Sequence, residues 1–103
     1  MEFKVFKGRF ENANDIIKDF EAPGALDDTK VLLAWYDDVN YEGEAIVIFE
    51  RDSKLFEVHG YHCSCYGLEG QWEPEETSWE ALAMQQDSEV QQLVKFHKEI
   101  TNG

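Results

Sequence analysis

Two short apolar runs set the narrowest limits on the fold. Val31-Leu32-Leu33-Ala34-Trp35-Tyr36 and Ala45-Ile46-Val47-Ile48-Phe49 are continuous and rich in β-branched or aromatic residues. Both are too short for ordinary helices, so they predict central strands. A third run, Leu55-Phe56-Glu57-Val58-His59, follows the turn Arg51-Asp52-Ser53 and makes the strongest hairpin in the chain. Gly60 is expected to end or bulge that strand. Tyr61 to Tyr66 reads as a fourth strand or an extended loop.

The flanks supply the remaining elements. Phe3-Lys4-Val5-Phe6-Lys7 alternates partially and predicts an opening strand. Asn12 reads as an N-cap, with Asp15 in the first turn to suit the helix dipole. Ala13, Ile16, Ile17 and Phe20 then recur on one helical face until Pro23-Gly24 stops it. Thr77-Ser78-Trp79-Glu80 and Ser88-Glu89-Val90-Gln91 are capping-box patterns. The first predicts a helix carrying Trp79, Leu82 and Ala83, the second a helix with Val90, Leu93, Val94 and His97 on one face. The expected order is β-α-β-β-β-α-α: an α+β domain with a small antiparallel sheet of three to four strands and helices packed on one face. Domains usually run ~100–150 residues, so residues 1–103 are expected to form a single acidic domain.

Charge constrains the partners. The chain carries 22 Asp/Glu against 9 Lys/Arg, a formal net charge of −13. Residues 1–30 contribute −2, residues 31–94 contribute −12, and residues 95–103 contribute +1. No Lys or Arg occurs from Leu55 to Val94. With 43% hydrophobic residues the chain can still build a core, which separates it from acidic disordered tails. Such a charge disfavours direct nucleic-acid binding and anionic membrane surfaces. No apolar run approaches the ~18–20 residues of a membrane span. Met1-Glu2-Phe3-Lys4 lacks the long apolar stretch of a signal peptide.

Two segments hold metal-ligand types. His59, His62, Cys63 and Cys65 crowd together, and imidazole with thiolate suits zinc. Their spacing lacks the usual paired Cys-x2–4-Cys, and only His97 offers a remote ligand. Asp38-Val39-Asn40-Tyr41-Glu42-Gly43-Glu44 opens like a calcium loop. Its twelfth position is Phe49, where a bidentate Glu is needed. An acidic turn eased by Gly43 is the plainer reading. Acidic surroundings raise the thiol pKa of Cys63-Ser64-Cys65, so reduced, unreactive thiols are expected. No cofactor is expected, and no nucleophile elbow, phosphate loop or His-Glu-x-x-His suggests an enzyme.

Leu68-Glu69-Gly70-Gln71-Trp72-Glu73-Pro74-Glu75-Glu76 is a Gly/Pro-punctuated loop dense in carboxylates. Its Trp72 either folds back onto the core or meets a partner. The candidate partner-binding set is Asp37, Asp38, Glu42, Glu44, Glu69, Trp72, Glu73, Glu75, Glu76 and Glu80.

The run His62-Cys63-Ser64-Cys65-Tyr66-Gly67-Leu68-Glu69-Gly70-Gln71-Trp72-Glu73-Pro74-Glu75-Glu76-Thr77 resembles a family of small uncharacterised proteins from tailed bacteriophages and prophages. With the preceding hairpin the likeness covers about a third of the chain, Glu44 to Trp79. It implies a viral origin and action in the bacterial cytoplasm, and it implies no reaction.

These features lead to a non-enzymatic phage protein whose acidic surface mimics DNA and inhibits a host nucleic-acid-handling protein with a basic surface. The alternatives are a small zinc module built on the His/Cys cluster and a phage assembly accessory protein that is acidic for solubility. A homodimer would avoid the acidic middle and use the N-terminal part or the final helix.

Overall fold

The two apolar runs lie side by side at the centre of a five-stranded sheet. The computed structural model describes residues 5–8, 10, 12–36, 43–62, 68–85 and 88–102. The elements are β1 (Val5–Gly8), α1 (Ala13–Phe20), β2 (Lys30–Tyr36), β3 (Gly43–Arg51), β4 (Lys54–His62), β5 (Glu75–Thr77), α2 (Trp79–Ala83) and α3 (Ser88–Asn102). The class is α+β and the main elements follow the expected order. Strands β2 to β5 are antiparallel neighbours. Strand β1 joins the sheet beside β2 in parallel, Val5 opposite Leu33. A parallel pair needs a crossover connection, and α1 lies in it. Strand β5 is an addition, formed by residues expected to be loop.

The central strands bury both of their faces. A bulge between Val31 and Leu33 shifts the pairing, so Val31 faces Phe49 while Leu33 faces Ile48. Leu32 and Leu33 therefore fall on the same side. On the first face Val31, Ala34, Tyr36, Val47, Phe49 and Val58 pack with Ile16 and Phe20 of α1. On the second, Leu32, Leu33, Ile46, Ile48 and Leu55 pack with Leu82 of α2 and Val90, Leu93 and Val94 of α3. Helices thus cover both faces, which corrects the one-face expectation. The cause is in the strands: a run that is apolar at every position has no side it can leave in water.

Local signals behave largely as read. Asn12 Oδ1 accepts from the Asp15 N–H at 3.1 Å. Helix α1 ends before Pro23, with Glu21 left-handed at φ 52° and the Ala22 N–H donating to the Ile17 carbonyl at 3.0 Å. Asp52 and Ser53 sit at φ 53° and 65°. Positive φ at both central residues is what a two-residue type I′ hairpin requires. Arg51 closes this end, donating to the Ala25 carbonyl at 2.7 Å.

Two expectations shift. The cap of α2 is Ser78, whose hydroxyl accepts from the Ala81 N–H at 3.1 Å, and not Thr77. Thr77 belongs to β5 instead. Gly60 neither ends nor bulges β4, which continues to His62 with Gly60 opposite Ala45. A Cβ there would lie 2.9 Å from Leu68 Cδ2 and 3.2 Å from the Phe20 ring. The glycine lets the aromatic core close onto the strand.

Candidate functional site

Strand alternation sets Leu55, Glu57, His59 and Tyr61 on the second sheet face. Glu57 stands opposite Ile48 and His59 opposite Ile46. A carboxylate on an apolar face needs partners, and Glu57 has them. His59 Nε2 lies 2.8 Å from Glu57 Oε1. The Gln85 amide donates to both carboxylate oxygens, at 3.2 and 3.1 Å. The Glu57 side chain is 14% exposed and that of His59 49%. Burial raises the Glu57 carboxyl pKa, but hydrogen bonds from Thr77, His59 and Gln85, with the charge of His59, outweigh it and hold the group below the ordinary glutamate value.

Gln85 is itself secured. It follows α2, with its N–H on the Leu82 carbonyl at 3.1 Å. Gln91 of α3 donates to the Ala83 carbonyl at 3.0 Å and also to the Gln85 carbonyl. The sequence pattern makes Gln91 the closing residue of a capping box. It works here as a tie between α3 and the end of α2, and that tie carries through Gln85 to the sheet.

Beside the Glu57–His59 pair lies an open groove of about 330 Å³, lined by Glu44, Ile46, His59, Tyr61 and Gln71. Strand β5 pairs only with Leu55 to Glu57. Further along β4, Gln71 replaces it: its side-chain amide donates to the Tyr61 carbonyl at 2.7 Å and accepts from the Tyr61 N–H at 2.9 Å. That two-bond clamp imitates a strand neighbour and fixes the groove's rim.

The expected partner-binding residues divide between two places. Glu73, Glu75, Glu76 and Glu80 are exposed along the β5 edge and the start of α2. Glu76 pairs with Lys54 at 3.9 Å, both side chains mostly in solvent. A shallow hollow of about 310 Å³ lies there, lined by Glu50, Lys54, Glu76 and Trp79 among others. Glu44 is exposed at the far end of β3, opposite Tyr61. Glu69 is exposed in the turn before Gly70. Trp72 takes the core reading, half-buried against Phe20 edge-on at 5.1 Å and stacked over Phe49 at 5.8 Å. Asp37, Asp38 and Glu42 lie outside the described residues.

The metal readings gain no geometry. Among the described residues no group of three or more His, Cys, Asp or Glu is placed to hold a metal ion. His97 stacks on Trp79 with ring centroids 3.7 Å apart. His62 ends β4 opposite Gly43, its side chain outside the described set, as are Cys63 and Cys65. The second half of the calcium-loop pattern is strand β3, with Phe49 wholly buried in the core.

Sequence reasoning missed Glu57, Gln71, Gln85 and the shared role of Glu57 and His59. Alternation in Glu57-Val58-His59 carried part of the signal, since it sets the two polar residues on one side. Gln71 and Gln85 reach them only through the fold. No protein-family model, curated protein or solved structure matches this chain. Among the described residues no helix is long and apolar enough to cross a membrane.

Proposed function

We propose that this chain is a non-enzymatic phage protein that binds a host nucleic-acid-handling protein in the bacterial cytoplasm and blocks its basic groove by presenting a DNA-like acidic surface. The observation that carries the reading is the set of exposed carboxylates Glu73, Glu75, Glu76 and Glu80, running from just before β5 through that edge strand to the start of α2. Successive side chains of a strand point to opposite faces, so Glu75, opposite Glu57, and Glu76, opposite Phe56, present carboxylate on both sides of the edge. The row is set on a sheet edge and a capped helix, so binding loses little freedom on ordering it. The segment that carries these carboxylates has no Lys or Arg of its own from Leu55 to Val94, and Lys54, 3.9 Å from Glu76, reaches in from the neighbouring strand.

The test is capture from a bacterial lysate at low salt, with the wild-type chain and with the combined Glu73→Gln, Glu75→Gln, Glu76→Gln and Glu80→Gln variant. The wild type retains a nucleic-acid-binding protein that is released by salt and by added duplex DNA. The variant does not retain it. Equal retention by the variant, or a captured protein that duplex DNA leaves in place, contradicts the reading.

A further inference from the structure

The groove beside His59 is chemically distinct from the acidic edge. Glu44 and Tyr61 are register partners on the second sheet face, next to the pair Ile46 and His59. Directly opposed residues hold their Cβ atoms ~4.5–5.5 Å apart, so a carboxylate, an imidazole and a phenol ring share one short stretch of sheet. Their polar atoms have a common character. Glu44 accepts only. Glu57 also accepts only, so His59 Nε2, 2.8 Å from it, carries the proton. Tyr61 is 41% exposed and contributes an aromatic wall, and Ile46 an apolar floor.

We infer that this groove receives an arginine side chain from a basic partner protein. A guanidinium is a planar cation with several donors and no acceptor. It bonds a carboxylate through two parallel N–H groups and stacks on an aromatic ring. Its aliphatic stem suits the apolar floor. An ammonium is also drawn to a ring face, but it can neither fork onto the carboxylate nor stack flat on the ring. An anion meets the Glu44 carboxylate. A volume of about 330 Å³ is at the small end for ligand pockets, which run ~300–1,000 Å³, and fits one side chain better than a larger ligand. The choice of a basic partner rests on the acidic-edge reading. The groove itself rests on its own geometry, ~10–17 Å along β4 from the position opposite Glu76.

The probe is N-acetyl-arginine amide, titrated into the isotope-labelled chain and followed by NMR. The lysine amide and the neutral citrulline amide serve as comparisons. The arginine compound should shift the backbone amides of Ala45, Ile46 and Gly60 and the ring signals of His59. Lysine and citrulline amides should bind about tenfold more weakly, as loss of a charge-assisted fork implies. Glu44→Gln should weaken the arginine compound by about tenfold while the unliganded spectrum stays that of the folded chain. The four-glutamine edge variant should bind it as the wild type does. Equal binding of the three amides, an unchanged affinity in Glu44→Gln, or shifts confined to residues 73–80 overturns the assignment. Failure here with lysate capture intact rejects the groove and leaves the edge. The reverse outcome rejects the edge and leaves the groove.

Discussion

His59 Nε2 sits 2.8 Å from Glu57 Oε1, two residues apart on one strand and on the same side of the sheet. The pair lies on the face where Leu33, Ile46, Ile48, Leu82 and Leu93 pack together. Gln85 grips the same carboxylate from the end of α2. The link therefore joins sheet, helix and groove rim through a single ionised group.

Glu57 should make stability depend on pH in the acid range. Its folded pKa lies below the ordinary glutamate value, so its contribution is fully present above that value and is lost as pH falls through the folded pKa. Glu57→Gln should cost about 1–2 kcal/mol near neutral pH, from lost charge-assisted hydrogen bonds. Urea unfolding between neutral and acid pH checks this. The gap between wild type and variant should close as pH falls, and a constant gap contradicts the assigned cause.

Gly60→Ala should destabilise the chain by about 1–3 kcal/mol, because the added methyl meets packed atoms. Leu68 and Phe20 are each about 1% exposed and have nowhere to retreat. Gly70→Ala is the control. Gly70 has open space around its Cβ position but φ +78°, so only the backbone penalty of about 1 kcal/mol applies. Thermal or urea melts of the two variants should rank Gly60→Ala as the more damaging.

Two non-glycine residues in left-handed backbone are places to gain stability. Glu21 ends α1 at φ 52° and Ser53 completes the hairpin at φ 65°. Asp-Gly is the favoured pair for this turn, and Gly the favoured residue after a helix. Ser53→Gly and Glu21→Gly should each stabilise by about 0.5 kcal/mol, the relieved strain less the added freedom of the unfolded chain. Urea midpoints should rise with unchanged slopes.

Much of the fold was legible because its signals are local. The apolar runs, the Asn12 cap and the face Val90, Leu93, Val94 all appear in the structure as read. The placement of helices was not, although Val31–Tyr36 and Ala45–Phe49 held the clue: strands apolar at every position call for cover on both sides. Thr77 fits the S/T-x-x-E cap pattern, but the neighbouring Ser78 competes for the same role and takes it. That releases Thr77 to pair with Leu55 in β5 and to bond Glu57. The candidate site was half legible. Its carboxylates are visible in composition, while their division between the β5 edge and Glu44 depends on which strands become neighbours.

The acidic-edge reading meets its most direct test in the affinity of the captured host protein at two salt concentrations. Measured at about 50 and 200 mM salt, the Kd for the wild-type chain should weaken by at least about tenfold, as screening of a charge row demands. The edge variant with Glu73, Glu75, Glu76 and Glu80 changed to Gln should bind more weakly at low salt and lose less on raising it. A Kd that is the same at both salt concentrations would contradict a DNA-like acidic surface.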